Sequence, residues 1–553
     1  MKFPRDSYII HLLYNTCRER RSGGGETAVS GVFMTRNLTK GSPFRLILSF
    51  ILPVLIGNIF QQLYNMADTF IVGHTVSSDA MAGVGSTGSV TFLVLGFASG
   101  LTAGFAVRTS QRFGARDEAG VRRSVAVSLE LCLVLAALLM AIAMPLCGPL
   151  LRLMQTPEKY FGYAYWYLFV CFGGIGAIIL YNIAAATLRA VGDTRAPLVI
   201  LVASACLNVG LDLLFIVVFR MRYTGAAAAT VLSQFLSGVG GIFYMFRTYP
   251  ELRPGRADWK IDRRLWRGHI ALGLPMALQF SITAIGSIIQ QTSLNTLDSS
   301  LPGVVTAYTA ASKISNLAST PFDAIGVTFA TYAGQNYGAK EYGRIRDGVF
   351  AGMCYCVLLW AIGLFFCTVF GRSLTALFLD RNTGDAALYY EEMLGYASKY
   401  LIFQSAFFGP LGIIFVYRNT LQGIGRSALT MLAGVTELIG RAAACFVLVR
   451  LFGFTGICLS NPMAWIAADI FLLTTYYLTI RKYPAPRTYT PARLLSRLFR
   501  RARAGGEEAG GASESACAAA EKAEENAAET AAGQFREDRE KQTNENSGER
   551  IGK

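Results

Sequence analysis

The sequence predicts an all-α membrane protein, with twelve transmembrane helices in two parallel six-helix repeats, an N-lobe and a C-lobe, related by a pseudo-two-fold axis along the membrane normal. Three observations carry that prediction. Of 553 residues 53% are hydrophobic and only 16% charged, with a mean hydropathy of +0.39, well outside the soluble range. Apolar windows of about twenty residues recur along most of the chain. The two halves also repeat one another at an offset of 222 to 233.

The windows place spans near 46–71, 81–106, 124–147, 163–187, 196–219, 225–246, 268–294, 304–331, 348–370, 396–418, 428–450 and 456–480. Residues 1–40 read as a cytoplasmic N-terminal extension, 41–250 as the N-lobe, 251–267 as a cytoplasmic linker, 268–482 as the C-lobe and 483–553 as a disordered cytoplasmic tail. Met34 precedes a more usual-looking start, so the first 33 residues read as a dispensable extension or as the result of a wrongly chosen start codon. No cleavable signal peptide is apparent.

Basic residues set the orientation. One set of loops carries Arg108, Arg112, Arg116, Arg122 and Arg123, then Arg189 and Arg195, a cluster from Arg247 to Arg267, Lys340, Arg344 and Arg346, and finally Arg418 and Arg426. The alternate loops are poorer, so the rich set is expected inside the cell, with both termini cytoplasmic in a multi-pass inner-membrane protein. Most of the net charge of +15 is then topology, and a nucleic-acid partner loses its motivation.

Enzymatic chemistry has little material here. Cys132, Cys147, Cys171, Cys206, Cys367, Cys445 and Cys458 lie in or beside apolar runs without CxxC spacing and read as small core residues. His11, His74 and His269 are expected in tails or loops, which leaves no material for a histidine-based metal site or a buried relay. No GxxxxGK[ST] loop occurs. Gly83 to Gly88 satisfies GxGxxG but opens a span without a βαβ unit, while Gly96, Gly100 and Gly104 form a small-residue stripe suited to close helix packing.

The repeat is specific in detail. Gln111, Gly114, Ala115, Arg116 and Arg122 match Gln335, Gly338, Ala339, Lys340 and Arg346 at an offset of 224, and Leu188 and Gly192 match Leu421 and Gly425 at 233. Pro53 matches Pro275 at 222. Halves with six crossings share one orientation, an arrangement typical of secondary transporters with a substrate path between lobes.

The aspartate of the first span, the Q-x-x-G-A loops, the L-x-x-x-G-D/R turns and the twelve spans together resemble the multidrug and toxic compound extrusion (MATE) family. The likeness is to its DNA-damage-inducible and staphylococcal-type branch and covers roughly residues 40–482. The resemblance implies efflux of small amphipathic or cationic organic compounds against inward H⁺ or Na⁺, with no cofactor beyond that coupling ion. The protein is read as a monomer whose partners are those substrates and the lipid bilayer.

A charged side chain at the bilayer centre costs about 2.5–3.5 kcal/mol on insertion scales, so each carboxylate there asks for a function. Asp68 lies on one helical face with Pro53, Gly57, Gln61 and Asn65, and Pro53 and Gly57 are the expected bending points. In the fifth span Ser204, Asn208 and Asp212 share a stripe, and the sixth adds Thr230 and Gln234. The resemblance carries a cation-coupling role onto Asp68, Asn208, Asp212 and Thr230, whose hard oxygens suit Na⁺ and whose paired carboxylates suit a proton. A hydrogen-bonded plug that merely locks the lobe is the alternative.

The second half departs from this pattern. Glu437 and Arg441 stand at i, i+4 and read as a structural ion pair. Gln279, Thr283, Lys313 and Asp469 are cavity or substrate candidates, Lys313 alternatively pairing with Asp323 or Glu437. Gln290 stands where the repeat would place Asp68, so the first lobe is expected to carry the coupling ion. The nearest rival is a lipid-linked oligosaccharide flippase of the same superfamily, which should have a more basic cavity; a membrane-embedded enzyme is more distant. Asp68→Asn should abolish cation-driven efflux while leaving the protein folded in the membrane, measured as drug resistance and membrane expression; unchanged resistance would sink the assignment.

Overall fold

Hydrocarbon offers a peptide group no partner, so each apolar window must close its hydrogen bonds within itself, and the chain is helical wherever it is apolar. A computed structural model describes residues 37–75, 87–153, 156, 158–297, 300–379 and 386–483, with side chains described for these except 63–75, 89, 153, 222–223 and 386–388. The first half comprises α1 (Pro43–Thr75), α2 (Gly88–Gly114), α3 (Glu118–Leu153), α4 (Glu158–Gly173), α5 (Ile175–Ala190), α6 (Arg195–Asp212) and α7 (Arg222–Thr248). The second comprises α8 (Arg263–Asn295), α9 (Val304–Gly338), α10 (Tyr342–Ala376), α11 (Ala386–Ala406), α12 (Phe408–Gly423), α13 (Ser427–Ala443), α14 (Val449–Phe452) and α15 (Phe454–Ile480).

Among the described residues nine helices are long and apolar enough to cross a membrane, and the bent pairs α4/α5 and α11/α12 bring the number to eleven. The twelfth is α9, whose 35 residues span about 52 Å at 1.5 Å per residue. Lys313, Asp323 and many hydroxyl and amide side chains lower its hydropathy below that of its neighbours. Four windows read as plain spans are interrupted. The fourth bends by 50° at Gly174 and the tenth by 46° at Phe407. The fifth closes on a widened π turn at Leu213–Val218, and the eleventh carries one at Ala444–Leu448 ahead of α14. A window average cannot register such breaks, because hydropathy is unchanged across them.

These irregularities obey the repeat. Gly174 and Phe407 stand 233 apart, as do Gly192 (φ 92°) and Gly425 (φ 91°). Arg116 (φ 56°) and Lys340 (φ 61°), 224 apart, are left-handed residues closing α2 and α9. The first G-x turn has an extra device: Asp193 Oδ1 accepts from the backbone of Arg195 and Ala196, both at 3.0 Å, capping α6, and Oδ2 accepts from the Tyr249 hydroxyl at 2.6 Å. Burial and the adjacent Asp193 carboxylate push the Tyr249 phenol well above its ordinary range. Arg426 occupies the equivalent place in the second half and offers no such acceptor.

The halves meet through matched pairs: α1 packs on α6 and crosses to α9, while α8 packs on α13 and crosses to α2. Ile47, Phe50, Ile51 and Val54 of α1 are accordingly buried in a core built mostly from the second half. The stripe of Gly96, Gly100 and Gly104 finds its neighbour in α8, against Phe280, Ala277 and Gly273. A side-chain carbon at Gly104 would collide with the Gly273 backbone, and one at Gly100 would lie 2.7 Å from the Ala277 Cα.

Two expectations are corrected here. His269 belongs to no loop: α8 begins at Arg263, inside the segment read as linker, and His269 is buried, with Nε2 2.9 Å from Ser124 Oγ and Nδ1 2.9 Å from the Leu265 carbonyl. Its partners on α3 and its own helix satisfy a ring that the sequence reading left in solvent. Cys206 is exposed on the outer surface of α6 rather than in the core, whereas Cys132, Cys147, Cys171, Cys367, Cys445 and Cys458 are buried.

Gly104→Val should destabilise the protein by about 1–3 kcal/mol or more through overpacking of the α2–α8 crossing. Gly240→Ala, which faces open space, should be neutral or slightly stabilising. Melting curves of the two variants in detergent check the difference.

Candidate ion-coupling and substrate site

The fifth and sixth spans run together, and their contact carries the first cluster. Ser204, Asn208 and Asp212 recur every four residues on α6 and are all buried, with Asp212 at 0% exposure. The Asn208 amide satisfies both neighbours in one orientation: its nitrogen donates to Asp212 Oδ2 at 3.0 Å and its oxygen accepts from the Thr230 backbone N–H at 3.2 Å. The same amide edge lies 3.4 Å from Thr230 Oγ1, and Ser204 Oγ donates to the Ser233 carbonyl at 3.4 Å. Three of the four coupling candidates are thus one connected network between α6 and α7.

The fourth, Asp68, sits in the distal part of α1, and its side chain, with that of Asn65, lies outside the described residues. α1 packs against α6, and Gly57 is buried there beside Leu198 and Leu201, about where the α1 face was expected to turn inward. The helix continues through Pro53. Gln234 is half-buried one turn after Thr230, its Oε1 buried without a hydrogen-bond partner among the described residues.

The second half presents a different chemistry at the related place. Glu437 accepts from Arg441 at 3.0 Å within α13 and from Arg418 of α12 at 2.6 Å, and all three side chains are buried. Its position at a span end groups Arg418 with the basic loops, but α12 carries it into the lobe, where Glu437 takes up the charge. No salt bridge joins Lys313 to Asp323 or Glu437. Lys313 is exposed, with Nζ 5.5 Å from the centre of the Phe378 ring. Glu437 is unavailable to it because two guanidinium groups already occupy both carboxylate oxygens.

Other candidates divide by exposure. Gln279 is buried and accepts from Gln422 Nε2 at 2.9 Å, which makes it an internal tie between α8 and α12 rather than a cavity residue. Thr283 is half-buried and donates back to the Gln279 carbonyl at 3.1 Å. Gln290, the repeat-mate of Asp68, is buried, with Nε2 unbonded among the described residues. Asp469 is buried, with Oδ1 unbonded among the described residues. Gln61 and Gln62 on α1, Gln291, Thr292 and Asn295 on α8, and Thr306, Thr309, Lys313 and Asn316 on α9 are exposed. Side chains of this kind do not face hydrocarbon, so they mark a wettable surface toward the distal ends of these three helices.

A family model described as MatE matches residues 53–214 and 275–447, the two repeats. The Probable multidrug resistance protein YpnP of Bacillus subtilis is 29% identical over 398 residues, 72% of this chain and 85% of its own. A FAD transporter of Shewanella oneidensis is 23% identical over 401 residues, 71% of this chain and 85% of its own. Among solved structures, the outward-facing conformation of a multidrug resistance MATE family transporter of the MOP superfamily superposes with a TM-score of 0.75 at 21% identity, covering 82% of this chain and 99% of the other.

Removing Glu437 alone strands two buried guanidinium groups, and Glu437→Ala should cost about 3–5 kcal/mol. Replacing Glu437, Arg418 and Arg441 together by methionine should recover most of that loss, because no buried charge is then left unpaired. Comparison of the two variants by thermal unfolding in detergent checks this.

Proposed function

The chain belongs to the MatE family of multidrug and toxic compound extrusion transporters, and from that premise we propose that it exports small amphipathic or cationic organic compounds by antiport against inward H⁺ or Na⁺. It is a multi-pass membrane transporter and not an enzyme. The carrying observation is the asymmetry between halves. The first holds the connected, buried Asn208–Asp212–Thr230 network, whereas the acid of the second, Glu437, is neutralised by two arginines.

Asp212, the Asn208 amide and the Thr230 hydroxyl offer hard oxygen ligands for Na⁺, and Asp68 on the neighbouring α1 adds a second carboxylate to the same lobe. Taking up one cation there relieves the repulsion of two carboxylates in low dielectric. It thereby changes how α1 sits on α6, with Pro53 and Gly57 as the compliant points. The substrate enters the wettable surface between the lobes, where Gln61 and Lys313 are exposed. The basic ends of the helices face the cytoplasm of the producing cell, in its cell membrane.

The lipid-linked oligosaccharide flippase reading is the weaker one. A polyphosphate head group asks for free cations, and Arg418 and Arg441 are engaged by Glu437, which leaves Lys313 alone among the basic cavity candidates.

In proteoliposomes loaded with a fluorescent organic cation, with pH and Na⁺ gradients imposed separately, one gradient should drive efflux and Asp212→Asn should reduce that efflux to background. Equal efflux by wild type and variant under the effective gradient would overturn the coupling role.

A further inference from the structure

The Q-x-x-G-A motif, present once in each repeat, has no part in the proposed ion site, and its two copies lie where the halves cross at the basic ends of α2 and α9. Gln111 Nε2 donates to the Gly423 carbonyl at 2.8 Å, from the first half to the second. Gln335 Nε2 donates to the Ala190 carbonyl at 2.9 Å, from the second half to the first. Gln111 and Gln335 are 224 apart and Ala190 and Gly423 are 233 apart, so the two bonds are images of one another under the repeat.

The acceptors are chemically meaningful. Ala190 and Gly423 are the last residues of α5 and α12, and the final carbonyls of a helix have no partner within it. Each half therefore satisfies an orphan carbonyl of the other, with Gln111 at 8% and Gln335 at 0% exposure. The glycines of the motif make the approach possible: a side-chain carbon at Gly114 would collide with the Gln335 carbonyl, and one at Gly338 with the Gln111 carbonyl. Ser110 Oγ adds a third crossing bond to the Thr331 carbonyl at 3.1 Å. The amide oxygens are used as well, by Arg108 Nη1 at 3.4 Å for Gln111 and by the backbone N–H of Leu38 at 3.0 Å for Gln335.

We propose that Gln111 and Gln335 form a two-fold latch that holds the lobes together at the basic end and that must open for substrate to enter from that side. The inference rests on the antiport proposed above, in which the path between the lobes opens to one side of the membrane at a time. Opening breaks both bonds at once and leaves four polar groups to be hydrated, which a cleft filling with water from the basic side supplies. The latch thus biases the protein toward the state closed at this end. Its strength is moderate because every lost bond is exchanged for one to water. Gln335 also anchors Leu38, which is fully buried and further tied through its carbonyl to Asn336 at 3.3 Å and Arg344 at 3.2 Å.

The test measures the distance between spin labels on Ala119→Cys and Glu341→Cys, exposed positions flanking the crossing, with Cys17, Cys206, Cys354 and Cys517 replaced by serine. In the full chain in nanodiscs, without substrate or gradient, the parent should give one short distance. Gln111→Met and Gln335→Met, which keep the bulk and remove the donor, should each raise the open fraction relative to the closed about three- to tenfold, and the double variant multiplicatively. A distance distribution unchanged in the double variant would overturn the latch. If the methionine variants fail to fold, Gln111→Glu and Gln335→Glu replace them, with a carboxylate that repels the facing carbonyl; an unchanged distribution there overturns the latch equally. The distance is read without transport, so a shifted distribution in a protein that shows no antiport keeps the latch and rejects the coupling proposal instead.

Discussion

The close crossing of α2 against α8 and α9 is the contact on which the rest of this molecule depends. In hydrocarbon the lobes gain nothing from burying apolar side chains against each other rather than against lipid, so association must come from backbone approach, dispersion and hydrogen bonds. Gly100 and Gly104 admit Ala277 and Gly273, and Gly114 and Gly338 admit the carbonyls of Gln335 and Gln111. Once the backbones are that near, carbonyls and amides of opposite halves come within reach, and the apolar core that joins α1 to the second half can form around them.

Within that frame the two halves differ in how they treat buried charge. Duplication supplied the same helical places twice, and the same backbone irregularities persist in both: the breaks at Gly174 and Phe407, the left-handed Arg116 and Lys340, and the turns at Gly192 and Gly425. The side chains have diverged on this common scaffold. In the first half Asp212 accepts from the neutral Asn208 amide, a contact that can accommodate a cation. In the second Glu437 is clamped between Arg418 and Arg441, an arrangement that stabilises one geometry and has little left to bind with.

Much of the candidate site was legible in advance because helical spacing is a local property. Asn208 and Asp212 fall on one face by count alone, and the family resemblance puts Thr230 beside them. Arg418 was missed because a basic residue near a predicted span end looks like a loop residue, and only the bend at Phe407 and the location of Glu437 bring it inside. Gln279 looked like a cavity residue because it shares a polar face with Thr283; its bond to Gln422 depends on α12, which is 143 positions away. His269 was misread for a similar reason, since it stands at the edge of its apolar window and its partner Ser124 on α3 is 145 positions away.

The amino-acid sequence by itself determined the class of the protein, the number of spans and the existence of the duplication. It also determined the helical faces that carry carboxylates, since each follows from hydropathy and spacing along one segment. Tertiary structure alone decided which polar residues are spent on internal bonds and which stay exposed, where the spans break, and what the glycine stripe and the paired glutamines touch. Those outcomes depend on groups more than a hundred residues apart meeting at ångström distances, and local periodicity sets a helix's face without setting its neighbour.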